Sequence, residues 1–477
     1  MPNFNFSEDE AVSVTAFLLS QTSENLKPLK RAGKGDPKKG KKLIKKVGCL
    51  GCHPISGEGE TFASDLGKLG TKVNKNWLVN WILDPKFYAP KTLMPKFRLT
   101  IKEANDIAAY LMILGTPPAK FKYEDELTSP ERIKKGKEIV QARGCVGCHD
   151  INGVAPGRVG PGLSKLGAKD SHHLDFGDNH DLEHTWESWV QNKIKDPSVY
   201  DTAEIKANMP TFNLTQEEIV ALSVFLKGFD RSSVPSTFIQ KLSVKEFEIE
   251  QGRQIVEKYN CRGCHIIEGK GGHIARFYKG KFNAPPPLET PTLHVGERFK
   301  DDWLYSFLRN PTPARKWLKV RMPTFPFTQE EIYYLTKMFV NFGKDHLPYQ
   351  EGIREGVSNK VLIEGRKLVL AFECLECHDG SRGPTFDVVN SRIRSEWAKE
   401  WLRNTKTIFP GTKMPEHWPV KNGKRVIASK FSRARNMLGG DPEAQINTIV
   451  TYLENYDKKP FLNVELPEED EDDEEDW

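Results

Sequence analysis

Apolar residues recur at steps of three and four in short blocks, separated by loops rich in Pro, Gly and charge. Ile133, Ile139 and Val140 fall on one helical face, as do Ile249, Ile255 and Val256. Four segments of this type contain glycine and present a basic opposite face: GKKLIKKVG, KKGKEIVQARG, EQGRQIVEKYN and IEGRKLVLAFE. Each is followed, after a Gly-rich loop, by a second predicted helix that carries tryptophan: NWLVNWILDP, SWVQNKIKDP, DWLYSFLRNP and EWAKEWLRNT. Trp77, Trp189, Trp303 and Trp397 each stand seven residues before an Asp or Asn, usually with Pro next. Proline ends such helices by removing a donor and by restricting the residue before it. Four residues after those tryptophans come Trp81, Lys193, Phe307 and Trp401, so the second block lacks the aromatic pair. A closing helix is predicted last, with Thr100, Thr215 or Thr328 at its N-cap and Glu103, Glu218 or Glu331 three residues on, the spacing of a capping box. In the fourth block some 26 residues intervene before DPEAQINTIVTYLENY.

These parts occur four times in one order, at intervals of about a hundred residues, so each repeat is a domain rather than a solenoid unit. The chain begins inside the pattern. MPNFNFSEDEAVSVTAFLLS at residues 1–20 matches MPTFNLTQEEIVALSVFLKG at 209–228 in eight of twenty positions. Residues 1–27 are therefore expected to be the C-terminal remnant of a further, truncated repeat, with Met1 as its Met-Pro methionine. The upstream half would hold another Cys–His unit and the export signal. Complete repeats are expected at 28–117, 128–230, 242–343 and 355–458, with an acidic disordered tail at 459–477.

A chain of 477 residues suggests several domains. No apolar run approaches the roughly 20 residues that cross a bilayer as a helix. The net charge of +5 hides a split. Ten acids lie within 465–476, whereas residues 27–46 carry ten Lys or Arg and one acid, Asp36.

All eight cysteines fall in four copies of Cys-x-x-Cys-His: Cys49, Cys52 and His53; Cys145, Cys148 and His149; Cys261, Cys264 and His265; Cys374, Cys377 and His378. Two thiols at this spacing reach the two vinyl groups of one porphyrin, and the adjacent His supplies its Nε2 to the iron, which is the c-type haem signature. Zinc would need four tetrahedral ligands per unit. A thioredoxin-like dithiol would need a βαβ setting. Four copies with no spare cysteine favour four covalently bound haems c. A thioether suits the sixth position of a redox iron, and Met94, Met209, Met322 and Met414 each precede Pro, 40 to 64 residues after a Cys–His unit. His417 competes with Met414, and the histidine-rich insert of repeat two (His172, His173, His180, His184) competes with Met209. Met112, Met338 and Met437 read as core filler, and His273, His294 and His346 as ordinary surface or core residues.

Gly-bearing helix, CxxCH, Trp helix, Met-Pro and closing helix together resemble class I (mitochondrial-like) cytochrome c domains, over almost the whole chain in four copies. The resemblance implies an all-α fold in which first and last helices cross and the haem lies between them. It also implies a carbonyl bonded to the Nδ1–H of the proximal His, given by Pro161, Pro291 and Pro384, with Ser64 in that place in repeat one.

Irons filled on both sides imply electron transfer rather than catalysis: a multihaem carrier in a respiratory chain, at the periplasmic or extracytoplasmic face. Two rivals remain, a haem-bearing subunit of a larger membrane-associated respiratory complex and a multihaem oxidoreductase with one open iron. The Lys-rich 27–46 stretch either steers an acidic redox protein or is a solvated face. No nucleic-acid partner is expected.

Overall fold

A computed structural model describes the chain except residues 1, 22–29, 116–120, 150, 155–159, 161, 180, 205–208, 230–240, 279–283, 291–292, 314, 316–317, 319, 344–355, 381, 457–463 and 465–477. Met1, Pro161, His180, Pro291, His346 and nearly all of the acidic tail thus lie outside the described residues. The fold is all-α, with three two-residue hairpins as its only paired strands among the described residues. Two compact units are present. One is formed by residues 1–27 and 118–241, the other by 28–117 and 242–477.

In the larger unit three repeats are built alike. Repeat one has α2 (Pro37–Val47), the Trp helix α3 (Lys75–Leu83) and the closing helix α4 (Ile101–Leu111). Asp36 caps α2 and Pro37 takes its first turn, where a missing N–H costs nothing. Helix α4 starts at the Thr100–Glu103 capping box that its sequence predicts. Helices α2 and α4 cross at Gly40, where a Cβ would overlap the carbonyl of Asp106. Ile44, Leu50, Leu78, Val79, Ile107 and Leu111 close the core around that crossing. Repeat three repeats the plan with α8 (Val244–Lys258), α9 (Asp301–Arg309) and α10 (Gln329–Phe342). Repeat four uses α11 (Asn359–Ala371), α12 (Ser395–Arg403) and α13 (Pro442–Glu454). Met338 and Met437 are buried in their cores.

Repeat two departs from this plan. Its elements are α5 (Pro130–Ala142), the Trp helix α6 (Trp186–Lys195) and the closing helix α7 (Gln216–Lys227). The helix that crosses α5 is not α7 but the N-terminal α1 (Glu8–Ser20), which buries Val12, Ser13, Ala16 and Phe17. Gly136 of α5 lies so close under α1 that a Cβ would overlap the Ser13 carbonyl. Asp9 ion-pairs with Arg132 and Lys135, and Glu10 with Arg143. On α7 the counterparts of Val12, Ala16 and Phe17 are Val220, Val224 and Phe225, exposed by 42, 69 and 62 %. This corrects the expectation that the first and last helices of every repeat cross. Two near-identical apolar faces are available to α5, and the N-terminal one holds the seat.

Candidate functional site

Each Cys–His unit begins where the preceding helix is stopped by a left-handed residue: Gly48, Gly144, Asn260 and Glu373, at φ 108, 69, 52 and 56°. A single helical turn follows. In it the His N–H donates to the carbonyl of the first cysteine, at 3.1 Å for His53, 2.9 Å for His149, 2.9 Å for His265 and 3.1 Å for His378. Two thiols three residues apart and the imidazole beside the second therefore occupy one turn.

Among the described residues, a backbone carbonyl fixes three of the imidazoles. The Nδ1–H of His53 donates to Ser64 (2.7 Å), that of His265 to Pro286 (2.8 Å) and that of His378 to Pro384 (2.7 Å). Such a bond selects the tautomer with the lone pair on Nε2, the nitrogen that binds iron. Ser64 fills the role as well as a proline because only its carbonyl is used. In repeat three Pro286 replaces the expected Pro291. The chain there forms a hairpin-like return, with Leu288 N–H donating to the Ile266 carbonyl, and this brings the earlier proline over the ring. Burial pushes all three imidazoles below their ordinary value, against the opposing effect of the carbonyl bond. They are thus neutral at neutral pH.

None of the eight cysteines is paired in a disulfide. Burial pushes Cys49, Cys261, Cys264 and Cys374 up to about 12. A thiolate is therefore disfavoured, unlike the low-pKa thiols of dithiol redox sites. Among the described residues no three His, Cys, Asp or Glu side chains stand together as metal ligands, so zinc finds no ligand set. The donors fit porphyrin attachment: a thiol pair, an oriented imidazole and an apolar wall.

Two of the Met-Pro methionines share a core with a cysteine of their own repeat. Met322 packs against the core that also receives Cys261 and Trp303, and Met414 against the core that receives Cys374 and Trp401. The indole N–H of Trp81 donates to Met94 Sδ at 3.0 Å, and that of Trp401 to Met414 Sδ at 3.1 Å. The aromatic pair is legible in the sequence; this bond appears only in the fold. Its signal is a Trp thirteen residues before the Met, which Lys193 and Phe307 do not supply.

Repeat two is less assembled. Cys145 packs with Phe17, Val140 and Val154, whereas Trp189 packs in a separate cluster with Val190, Tyr200 and Ile219. His149 is exposed and Met209 is 39 % exposed. Of the insert histidines, His172 and His173 are exposed and His184 stacks on Phe176 at 4.2 Å. His417 is buried among Phe372, Trp418 and Phe431. Burial, first, and then Lys430 bring it down to about 4. His294 Nδ1 lies 2.7 Å from a carboxyl oxygen of the buried Glu289, a group that burial raises to about 9.

The Cys–His turns of repeats one and three touch. Asn260 Nδ2–H donates to the Gly51 carbonyl at 2.9 Å, and a Cβ on Gly51 would lie 3.2 Å from Cys264 Sγ. Tyr278 donates to the Lys45 carbonyl (2.8 Å), and Arg276 pairs with Glu60 (2.7 Å). The Met-Pro segments pair as well, Lys96 with Thr324 in an antiparallel bridge, and Arg98 donates to the Met322 carbonyl at 2.8 Å. In the smaller unit Asn3 and Thr211, at the corresponding positions, form the same bridge.

A family model described as cytochrome c matches residues 37–115 and 133–230. A subunit of the nitric oxide reductase of Stutzerimonas stutzeri is 33% identical over 79 residues, 15% of this chain and 54% of that protein. CcoP of Helicobacter pylori, which belongs to a cbb3-type cytochrome c oxidase, is 31% identical over 114 residues, 22% of this chain and 35% of that protein. The chain thus spans about half the length of the first of these curated relatives and about a third of the second. No solved structure matches.

Proposed function

We propose that the chain is a cytochrome c-type protein throughout, on the strength of the two matched domains, and that it carries four covalent haems c and relays electrons between respiratory redox partners. The attachment residues are Cys49 and Cys52, Cys145 and Cys148, Cys261 and Cys264, and Cys374 and Cys377. The axial pairs are His53 with Met94, His149 with Met209, His265 with Met322, and His378 with Met414. When bound, the haems supply one-electron chemistry. The polypeptide attaches each ring, orients the proximal imidazole and excludes water. The observation that supports a relay is the hydrogen bond between the Cys–His turns of repeats one and three, which lie side by side although a whole repeat separates them in sequence.

The Lys-rich helix α2 suits an acidic redox protein, with a docking rate that falls as salt rises. The relatives are named as subunits of a nitric oxide reductase and of a cbb3-type cytochrome c oxidase, which supports a place within, or beside, a larger membrane-associated complex at the extracytoplasmic side. A second reading rests on repeat two, where the exposed His149 and Met209 suit one open iron and hence an oxidoreductase.

The test is the full chain matured with c-type haem assembly machinery. Its mass exceeds the polypeptide by four porphyrins, and its reduced spectrum is low-spin. Carbon monoxide binding by one reduced haem, lost with a variant of repeat two, moves the reading to the oxidoreductase. Free thiols at the eight cysteines overturn both.

A further inference from the structure

Repeats three and four meet at two short helical turns, Val295–Arg298 and Val389–Arg392. The strands leaving them are tied together: Phe299 bridges Ile393, Lys300 N–H donates to the Arg392 carbonyl, and Arg394 N–H to the Arg298 carbonyl, both at 3.0 Å. The arginines that end the turns cross over. The Arg298 guanidinium lies 4.7 Å from the ring of Trp397, on the Trp helix of repeat four, and the Arg392 guanidinium 4.7 Å from Trp303, on the Trp helix of repeat three. Both also lie against the Phe299 ring, at 4.9 and 4.8 Å.

Their neighbour Arg394 shows how a buried arginine is ordinarily satisfied. Its Nε–H donates to the Gly296 and Phe299 carbonyls, and it ion-pairs with Asp301. Arg298 and Arg392 differ. The Nε atom of each is buried with no hydrogen-bond partner among the described residues. No described carboxylate pairs with either. Burial lowers both; Arg392 and Arg315 add to it at Arg298, and Arg315 at Arg392. Buried like charges with orphaned donors are costly unless an anion joins them. A guanidinium offers a planar fork that fits a carboxylate with two hydrogen bonds.

The place says which carboxylate. Trp303 packs with the core that receives Cys261 and Met322. Trp397 stacks on Trp401, whose N–H reaches Met414. The positive charge of Arg315 is felt at His265. The cluster therefore borders the attachment pockets of both repeats. We propose that Arg298, Arg315 and Arg392 form one carboxylate-binding site, shared by repeats three and four, that receives propionates of the two haems these repeats carry. The inference rests on the haem reading above.

An unpaired propionate stabilises the ferric state through its negative charge. Pairing with arginine offsets that charge, so the cluster raises the potential of both haems. The test is a spectroelectrochemical titration of the haem-loaded full chain with Arg392→Gln, Arg298→Gln and Arg392→Lys. Each glutamine variant is expected to lower two midpoint potentials together, although each changes one residue. Arg392→Lys restores part of the shift, because charge returns without the fork. Where a glutamine variant does not fold, Arg392→Lys and the propionate bending band in resonance Raman carry the test, and the band is expected to move. Unchanged potentials and an unmoved band in a variant with full haem content overturn the proposal. A shift of a single haem overturns the sharing. Potentials that follow added inorganic phosphate, and lose that dependence in Arg392→Lys, assign the cluster to a free anion instead. A wild-type chain without covalent haem defeats the haem reading itself and is told apart by its mass.

Discussion

The side-chain amide of Asn260 donates to the carbonyl of Gly51 at 2.9 Å, joining the turn before Cys261 to the turn between Cys49 and Cys52. Asn260 sits at φ 52°, a conformation that asparagine and glycine tolerate best. Asn260→Gly therefore keeps the backbone and removes only the bond, at about 1 kcal/mol in urea unfolding of the larger unit. Gly51→Leu drives a side chain towards Cys264 Sγ and Ile274. Electron exchange between the haems proposed for repeats one and three, followed after flash reduction, is expected to slow in Gly51→Leu and to stay near wild type in Asn260→Gly.

Helix α1 occupies the groove of α5 while the matching face of α7 is exposed. Removing residues 1–21 frees that groove, and α7 is expected to turn Val220, Val224 and Phe225 into it. Hydrogen exchange checks this: amides of 216–227 gain protection in the shortened chain. In the full chain Phe17→Ala costs about 3–5 kcal/mol, since its ring is 3 % exposed.

Asp9 reports on the same contact through pH. Hydrogen bonds from Arg132, first, and Lys135 hold its carboxyl at about 2, below the ordinary 3.8. The unfolded chain binds the proton more tightly, so this stabilisation is present above 3.8 and is lost as pH falls through about 2. Asp9 is half exposed, so salt weakens the effect. Loosening of α1 between those values, seen by circular dichroism, is expected to vanish in Asp9→Asn.

The indole N–H on Met414 Sδ withdraws density from a thioether proposed to bind iron. Trp401→Phe keeps the stacked ring on Trp397 and removes the donor. One midpoint potential of the haem-loaded protein is expected to fall, and a different one in Trp81→Phe. Repeat three, with Phe307 there, is the natural case without the bond.

Much of this molecule is written locally. Cys-x-x-Cys-His on one turn, the glycines at Gly40 and Gly136, the capping boxes and the Met-Pro segments follow from spacing alone, because a helix repeats every 3.6 residues and its caps need particular side chains. Tertiary structure decided the rest. Periodicity defines an apolar face but not its partner, and the faces of α1 and α7 are near copies, so only the folded chain selects α1 for α5. Likewise Pro286 rather than Pro291 reaches His265, the turns of repeats one and three meet, and Arg298 and Arg392 cross onto each other's tryptophans. Those pairings depend on how loops return in space, and loop paths carry no period to read.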